Sequence, residues 1–124
     1  MPTTKSPRLL LIEDHAPLGR ALGDALGASG YLVEIAIDGE NGIDLFRTRR
    51  PDLVILDLLL PRVPGTAVLA ELRRIDPSVP VLVLSGADRS PVTDSLVERG
   101  AFAYLRKPVP LGELRRHILA ALAR

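Results

Sequence analysis

A chain of 124 residues, 47% hydrophobic and 25% charged, reads as one globular soluble domain with core enough to need no covalent staples. Its formal net charge of +1 gives no bulk electrostatic case for nucleic acid or an anionic membrane surface, and the lack of cysteine excludes disulfides, thiolate metal sites and thiol catalysis. No segment approaches the roughly 18 uninterrupted apolar residues of a membrane span, and Met1 to Arg8 lacks a signal peptide's apolar run, so a cytoplasmic domain is expected.

Residues 1–7 are polar with two prolines and read as a flexible N-terminal tail; the folded domain is expected over 8–124. Arg8-Leu9-Leu10-Leu11-Ile12 is a buried-strand run that ends abruptly in Glu13-Asp14. Adjacent carboxylates repel, which points to a cation beside them. The acidic first turn of a helix is an equally good reading of that pair alone. From Ala16 to Ala28, Leu18, Leu22 and Leu26 with Ala21 and Ala25 recur at helical spacing. Gly19, Gly23 and Gly27 run beside this stripe, each costing roughly 1 kcal/mol relative to Ala. They fit either a close approach of the sheet or a partner helix, or weak propensity tolerated for no reason. Ser29-Gly30 closes the helix.

Tyr31 to Ala36 is a short strand, and Asp38-Gly39 opens a second helix through Ile43, Leu45 and Phe46. Arg47, Arg49 and Arg50 finish it as a solvated terminus suited to the helix dipole. Pro51 and Pro61 bound a central strand, Leu53 to Leu56, whose unbroken branched run implies burial on both faces. At its carboxyl end stands Asp57, flanked by leucines, a poor place for a carboxylate unless something ionic meets it. A loop, Pro61-Arg62-Val63-Pro64-Gly65, leads to a third helix with Val68, Leu69 and Leu72.

Pro80 to Leu84 is the fourth buried run, ending in Ser85-Gly86. Asp88 to Arg99 is expected as a fourth helix, with Val92, Leu96 and Val97 facing inwards and Gly100 closing it. Phe102 to Leu105 is the fifth strand, followed by Arg106-Lys107-Pro108. A last helix sets Leu111, Leu114, Ile118 and Leu122 on one face.

Five strands alternating with five helices imply an α/β fold, a doubly wound five-stranded parallel sheet of order 2-1-3-4-5 with helices on both faces. Sites in such sheets lie outside the carboxyl ends of the strands at the switch point, here between strands one and three. The polar strand-end residues then converge: Glu13 and Asp14, Asp57, Ser85 and Lys107. Three carboxylates, a hydroxyl and an amine suit a hard cation such as magnesium together with a phosphoryl group. A carboxylate can attack phosphorus to form an aspartyl-phosphate, while lysine and serine engage phosphate oxygens. Neither G-x-x-x-x-G-K-[ST] nor G-x-G-x-x-G occurs, so the chain is expected to receive phosphate rather than bind a nucleotide.

From Arg8 to Leu122 the chain resembles a response-regulator receiver domain of bacterial two-component signalling, with its flavodoxin-like, chemotaxis-regulator-like fold. The acidic pair Glu13-Asp14, Asp57 within L-D-L-L-L-P, Gly65, Ser85, Tyr104 and Lys107-Pro108 carry the resemblance in order and separation. The resemblance implies that Asp57 accepts phosphate from a phosphohistidine on a sensor histidine kinase or phosphotransfer protein. It implies Mg2+ bound by Asp14, Asp57 and the Leu59 backbone carbonyl, with Glu13 acting through water. Lys107 would contact the phosphoryl group across a cis Lys107-Pro108 bond. Ser85 would move towards the phosphate while Tyr104 rotates inwards, altering the surface of the fourth helix, fifth strand and fifth helix.

Some positions depart from the family. Gly100-Ala101-Phe102-Ala103-Tyr104 stands where many regulators with winged-helix DNA-binding domains carry G-A-D-D-Y, so the acids of a charged dimer interface are missing. Phe102 reads as a partner contact or as core packing under the fourth helix. Leu59 and Ala87, two residues beyond Asp57 and Ser85, are apolar at positions that modulate hydrolysis in this family, so a long-lived phosphoryl group is expected. His15 is expected as an exposed loop residue. Among rival functions, a phosphorylation-independent pseudo-receiver acting as a binding module conflicts with the intact residue set. A phosphohydrolase with an aspartate nucleophile would want an acid where Leu59 stands. The domain is expected to be a switch without a turnover substrate, acting on a downstream protein, or on an effector domain missing from this sequence. No direct nucleic-acid or membrane contact is expected.

Overall fold

Strand residues alternate sides of a sheet, and here both sides are apolar, so both must be covered. The computed structural model, which describes residues 6–86 and 95–123, meets this demand with helices on either face. Its strands are β1 (Arg8–Ile12), β2 (Leu32–Ala36), β3 (Leu53–Asp57), β4 (Val81–Ser85) and β5 (Ala103–Arg106). All pair in parallel in the order β2-β1-β3-β4-β5. The helices among the described residues are α1 (Ala16–Ala28), α2 (Gly39–Arg49), α3 (Gly65–Ile75) and α4 (Leu111–Leu122). Leu10, Ile12, Val54 and Leu56 join Phe46 of α2 and Leu72 of α3 on one side. Leu9, Leu11, Leu53 and Ile55 join Leu26 of α1 and Ile118 of α4 on the other. Every residue of β3 and β4 is buried, which is why those two strands read as unbroken apolar runs.

The expectation of five helices is met by four among the described residues. The stretch 88–99 falls mainly on residues 87–94, Val92 included, which lie outside the described residues, and 95–100 are turns. Those turns close as a helix end does. Ala101 N–H donates to the Leu96 carbonyl and Gly100 N–H to that of Val97, with Gly100 at φ +108°. Leu96 is fully buried as expected, but Val97 is 54% exposed. One helical step is about 100°, so two consecutive residues cannot both point straight into the core. Phe102 packs against the cluster shared with α1 and α4, on the opposite side of the sheet from Leu96. Phe102 precedes β5 and shares this side with Ala103 and Leu105, so the strand's alternation does not extend back to it.

The three glycines of α1 divide. A Cβ on Gly19 or Gly23 would lie 3.5 or 3.0 Å from Ile35 of β2, whereas one on Gly27 would meet nothing within 4 Å. The first two permit close approach of the sheet, and the third is merely tolerated. Pro7, at the end of the expected tail, accepts a hydrogen bond from Leu32 N–H at 3.0 Å, and residues 1–5 lie outside the described residues. No helix among the described residues is long and apolar enough to cross a membrane.

Candidate functional site

Sheet register builds the site. Ile12 pairs with Leu56 across β1 and β3, so the next residues, Glu13 and Asp57, emerge side by side at the carboxyl edge. Ser85 pairs with Arg106 across β4 and β5, and Lys107 N–H donates to the Ser85 carbonyl at 2.8 Å. That bond delivers the Lys107 side chain back over the edge towards β1 and β3. Its ammonium lies 2.8 Å from Glu13 Oε1 and 3.3 Å from Asp57 Oδ2. The Lys107-Pro108 bond is cis. One carboxylate oxygen from each of Glu13, Asp14 and Asp57 lies within 4.8 Å of the others. Glu13, Asp57 and Ser85 are buried, whereas Asp14 is exposed and makes no ion pair among the described residues.

Burying two carboxylates together is costly, and the electrostatics show how the cost is divided. Burial pushes Asp57 up, the Leu59 N–H at 3.1 Å pulls it down, and the neighbouring Glu13 charge raises it again, to about 6 from 3.8. Burial also pushes Glu13 upwards, but the Lys107 hydrogen bond and the His15 N–H at 3.2 Å outweigh it, leaving Glu13 below the usual carboxylate range. Burial would lower Lys107, yet its bonds to Glu13 and Asp57 hold it above the ordinary lysine value. A lysine therefore bridges the two buried acids, and an exposed third acid waits beside them. The donor set is hard oxygen throughout and fits a small divalent cation.

Leu59 follows Asp57 in the loop to α3 and is 62% exposed. Gly65 closes that loop, its N–H donating to the Leu58 carbonyl at 3.0 Å. A Cβ there would stand 2.5 Å from the same oxygen, so only glycine fits. Tyr104 lies on β5, half-buried against the cluster that holds Leu96 and Ala101. Ala87 lies outside the described residues. His15 is exposed, as expected, and its Nδ1 accepts the Leu18 N–H at 3.3 Å as the N-cap of α1. Sequence reasoning missed Asp38 and Arg62 as a pair. Arg62 Nη2 is 2.8 Å from Asp38 Oδ2, a contact between loops 24 residues apart that no local pattern announces.

A family model described as the response regulator receiver domain matches residues 9–119. Response regulator MprA of Mycolicibacterium vanbaalenii is 37% identical over 117 residues, covering 94% of this chain and 51% of its own length. The chain thus spans about half the length of the curated relatives it matches. Its backbone is similar to a response regulator receiver domain protein (CheY-like) from Methanospirillum hungatei, with TM-score 0.92, 25% identity, and 96% and 95% of the two chains covered. A receiver domain protein from Clostridium thermocellum gives TM-score 0.91 and 29% identity, with 95% of each chain covered.

Proposed function

The chain belongs to the response regulator receiver domain family, and from that premise we propose that it is a phosphoacceptor signalling switch whose acceptor is Asp57. The observation that carries this reading is the Lys107 ammonium held between Glu13 and Asp57, 3.3 Å from the proposed acceptor oxygen's carboxylate. The donor is a phosphohistidine of a sensor histidine kinase or phosphotransfer protein. An oxygen of ionised Asp57 attacks phosphorus as the P–N bond breaks, and the imidazole leaves with the electron pair and takes up a proton. With a pKa of about 6, Asp57 is mostly ionised and nucleophilic at neutral pH.

Lys107 then follows the charge from the carboxylate to a phosphoryl oxygen, and the Ser85 hydroxyl donates to another. Asp14, Asp57 and the Leu59 carbonyl would hold Mg2+, with Glu13 acting through water. When bound, the ion neutralises negative charge on the phosphoryl oxygens. Ser85 draws towards the phosphate and Tyr104 turns inwards, changing the face made by residues 95–99, β5 and α4. The half-buried position of Tyr104 beside Leu96 supports this coupling. The domain, 8–124 with a tail at 1–7, modifies only itself and has no turnover substrate. It works in the cytoplasm, where its output passes to a downstream protein or to an effector domain beyond this sequence.

The test is intact mass after incubation with acetyl phosphate and Mg2+. One phosphoryl group should be gained, and the gain should vanish with EDTA or in Asp57→Asn. Folded protein that takes up Mg2+ but no phosphoryl group would instead be a binding module independent of phosphorylation.

A further inference from the structure

The loop that carries Leu59 is held in a strained form. Arg62 has φ +64°, and Val63 N–H donates to the Pro61 carbonyl at 2.7 Å. Residues 61–63 therefore form a γ-turn of the positive-φ hand, the rarer and more strained one. Glycine would occupy its centre at least cost, yet the residue there is arginine. Its guanidinium meets Asp38 Oδ2 at 2.8 Å, while Asp38 Oδ1 accepts the Asn41 N–H at 2.8 Å and caps α2. One carboxylate thus starts α2 and grips the loop. Beside it, a Cβ on Gly39 would lie 3.3 Å from Val63 Cβ, so Val63 is also docked on the first turn of α2.

We propose that Arg62 is a positioning residue for the acidic site: its ion pair with Asp38 fixes residues 58–64 against α2 and so presents the Leu59 carbonyl beside Asp57. This rests on the reading of Leu59 as a cation ligand given above. Among the described residues the ion-pair partner of Arg62 is Asp38 and not Glu13, Asp14 or Asp57, so its effect runs through the loop. Its side chain is 67% exposed and that of Asp38 only 19%, so the pair is partly screened and the effect is moderate.

Two variants of the full chain separate positioning from stability. Asp38→Asn keeps the helix cap, since Asn caps as well as Asp, but loses the ion pair. Arg62→Gly removes the guanidinium and relieves the positive φ. Mg2+ titration by calorimetry at low salt should show about threefold weaker binding in each, with the double variant no weaker than either single one. The deficit should shrink in about 0.5 M KCl. In metal-free protein the Leu59 and Val63 amides should exchange faster in both variants, while Arg62→Gly melts no lower than its parent. Unchanged Mg2+ affinity and unchanged exchange in Asp38→Asn would overturn the proposal, as would a double variant showing the sum of two independent losses. If the unsubstituted protein bound no Mg2+, the reading of the acidic site would fail. Exchange alone would then decide: faster exchange would uphold the hold on the loop, and unchanged exchange would refute it.

Discussion

The Lys107 ammonium stands 3.3 Å from Asp57 Oδ2 while hydrogen-bonded at 2.8 Å to Glu13, so one cation from the end of β5 neutralises acids from β1 and β3. Removing it strands two buried carboxylates. Lys107→Met should lower the stability of metal-free protein at pH 7 by about 1–3 kcal/mol, and Mg2+ should recover part of the loss. Calorimetric melts with EDTA and with excess Mg2+ measure both effects. Equal melting of the two proteins in EDTA would show that Lys107 does not serve as the counter-charge.

Asp57 predicts a pH dependence of stability. Its folded-state pKa is raised, from 3.8 to about 6, so the stability it contributes belongs to the protonated form. That contribution is complete below about pH 4 and is lost as pH rises through about 6. In EDTA at pH 8, Asp57→Asn should therefore be more stable than its parent, on the order of 2 kcal/mol. The gain should vanish near pH 4. Urea unfolding at the two pH values provides the comparison, and a variant less stable at pH 8 would contradict it.

Gly65 allows the Leu58 carbonyl to approach where a side chain would stand. Gly65→Ala should cost about 1–3 kcal/mol through overpacking and should weaken Mg2+ binding by displacing Leu59. Denaturant melts and metal titration report these separately. Substitution without effect on either would mean that the loop has room to spare.

Much of this arrangement was legible in the sequence, for a physical reason. β3 and β4 are buried on both faces, so each appears as an unbroken apolar run, and a polar residue at its end, Asp57 or Ser85, stands out against that run. Parallel topology then gathers the strand ends at one edge. What stayed hidden depends on contacts distant in sequence. Nothing around Asp38 announces Arg62, and Gly65 reads as a loop glycine until the Leu58 carbonyl is seen against it. Val97 misled because consecutive apolar residues near a helix end do not reveal which one faces inwards; only Leu96 does. Of the two readings of Phe102, packing under the expected fourth helix fails, because Phe102 precedes β5 and packs with the cluster of α1 and α4 instead.

Leu59 gives a kinetic prediction. It is exposed and apolar two residues beyond Asp57, and offers no group to orient an attacking water. The phosphoryl group should therefore persist for minutes or longer, and Leu59→Asn should shorten its lifetime. Phosphate release timed after removal of the donor gives both values. A half-life of seconds in the parent, or no change in the variant, would count against this.

The most direct test of phosphoacceptor chemistry is chemical trapping of the acyl phosphate. After treatment with acetyl phosphate and Mg2+, borohydride reduces an aspartyl-phosphate to homoserine, and peptide mass mapping locates it. Homoserine at position 57, with no homoserine at 14 and no 5-hydroxynorvaline at 13, is the expected result. A reduced side chain at another acid, homoserine at an aspartate or 5-hydroxynorvaline at a glutamate, or at none in protein that has bound Mg2+, would contradict the assignment of Asp57 as the acceptor.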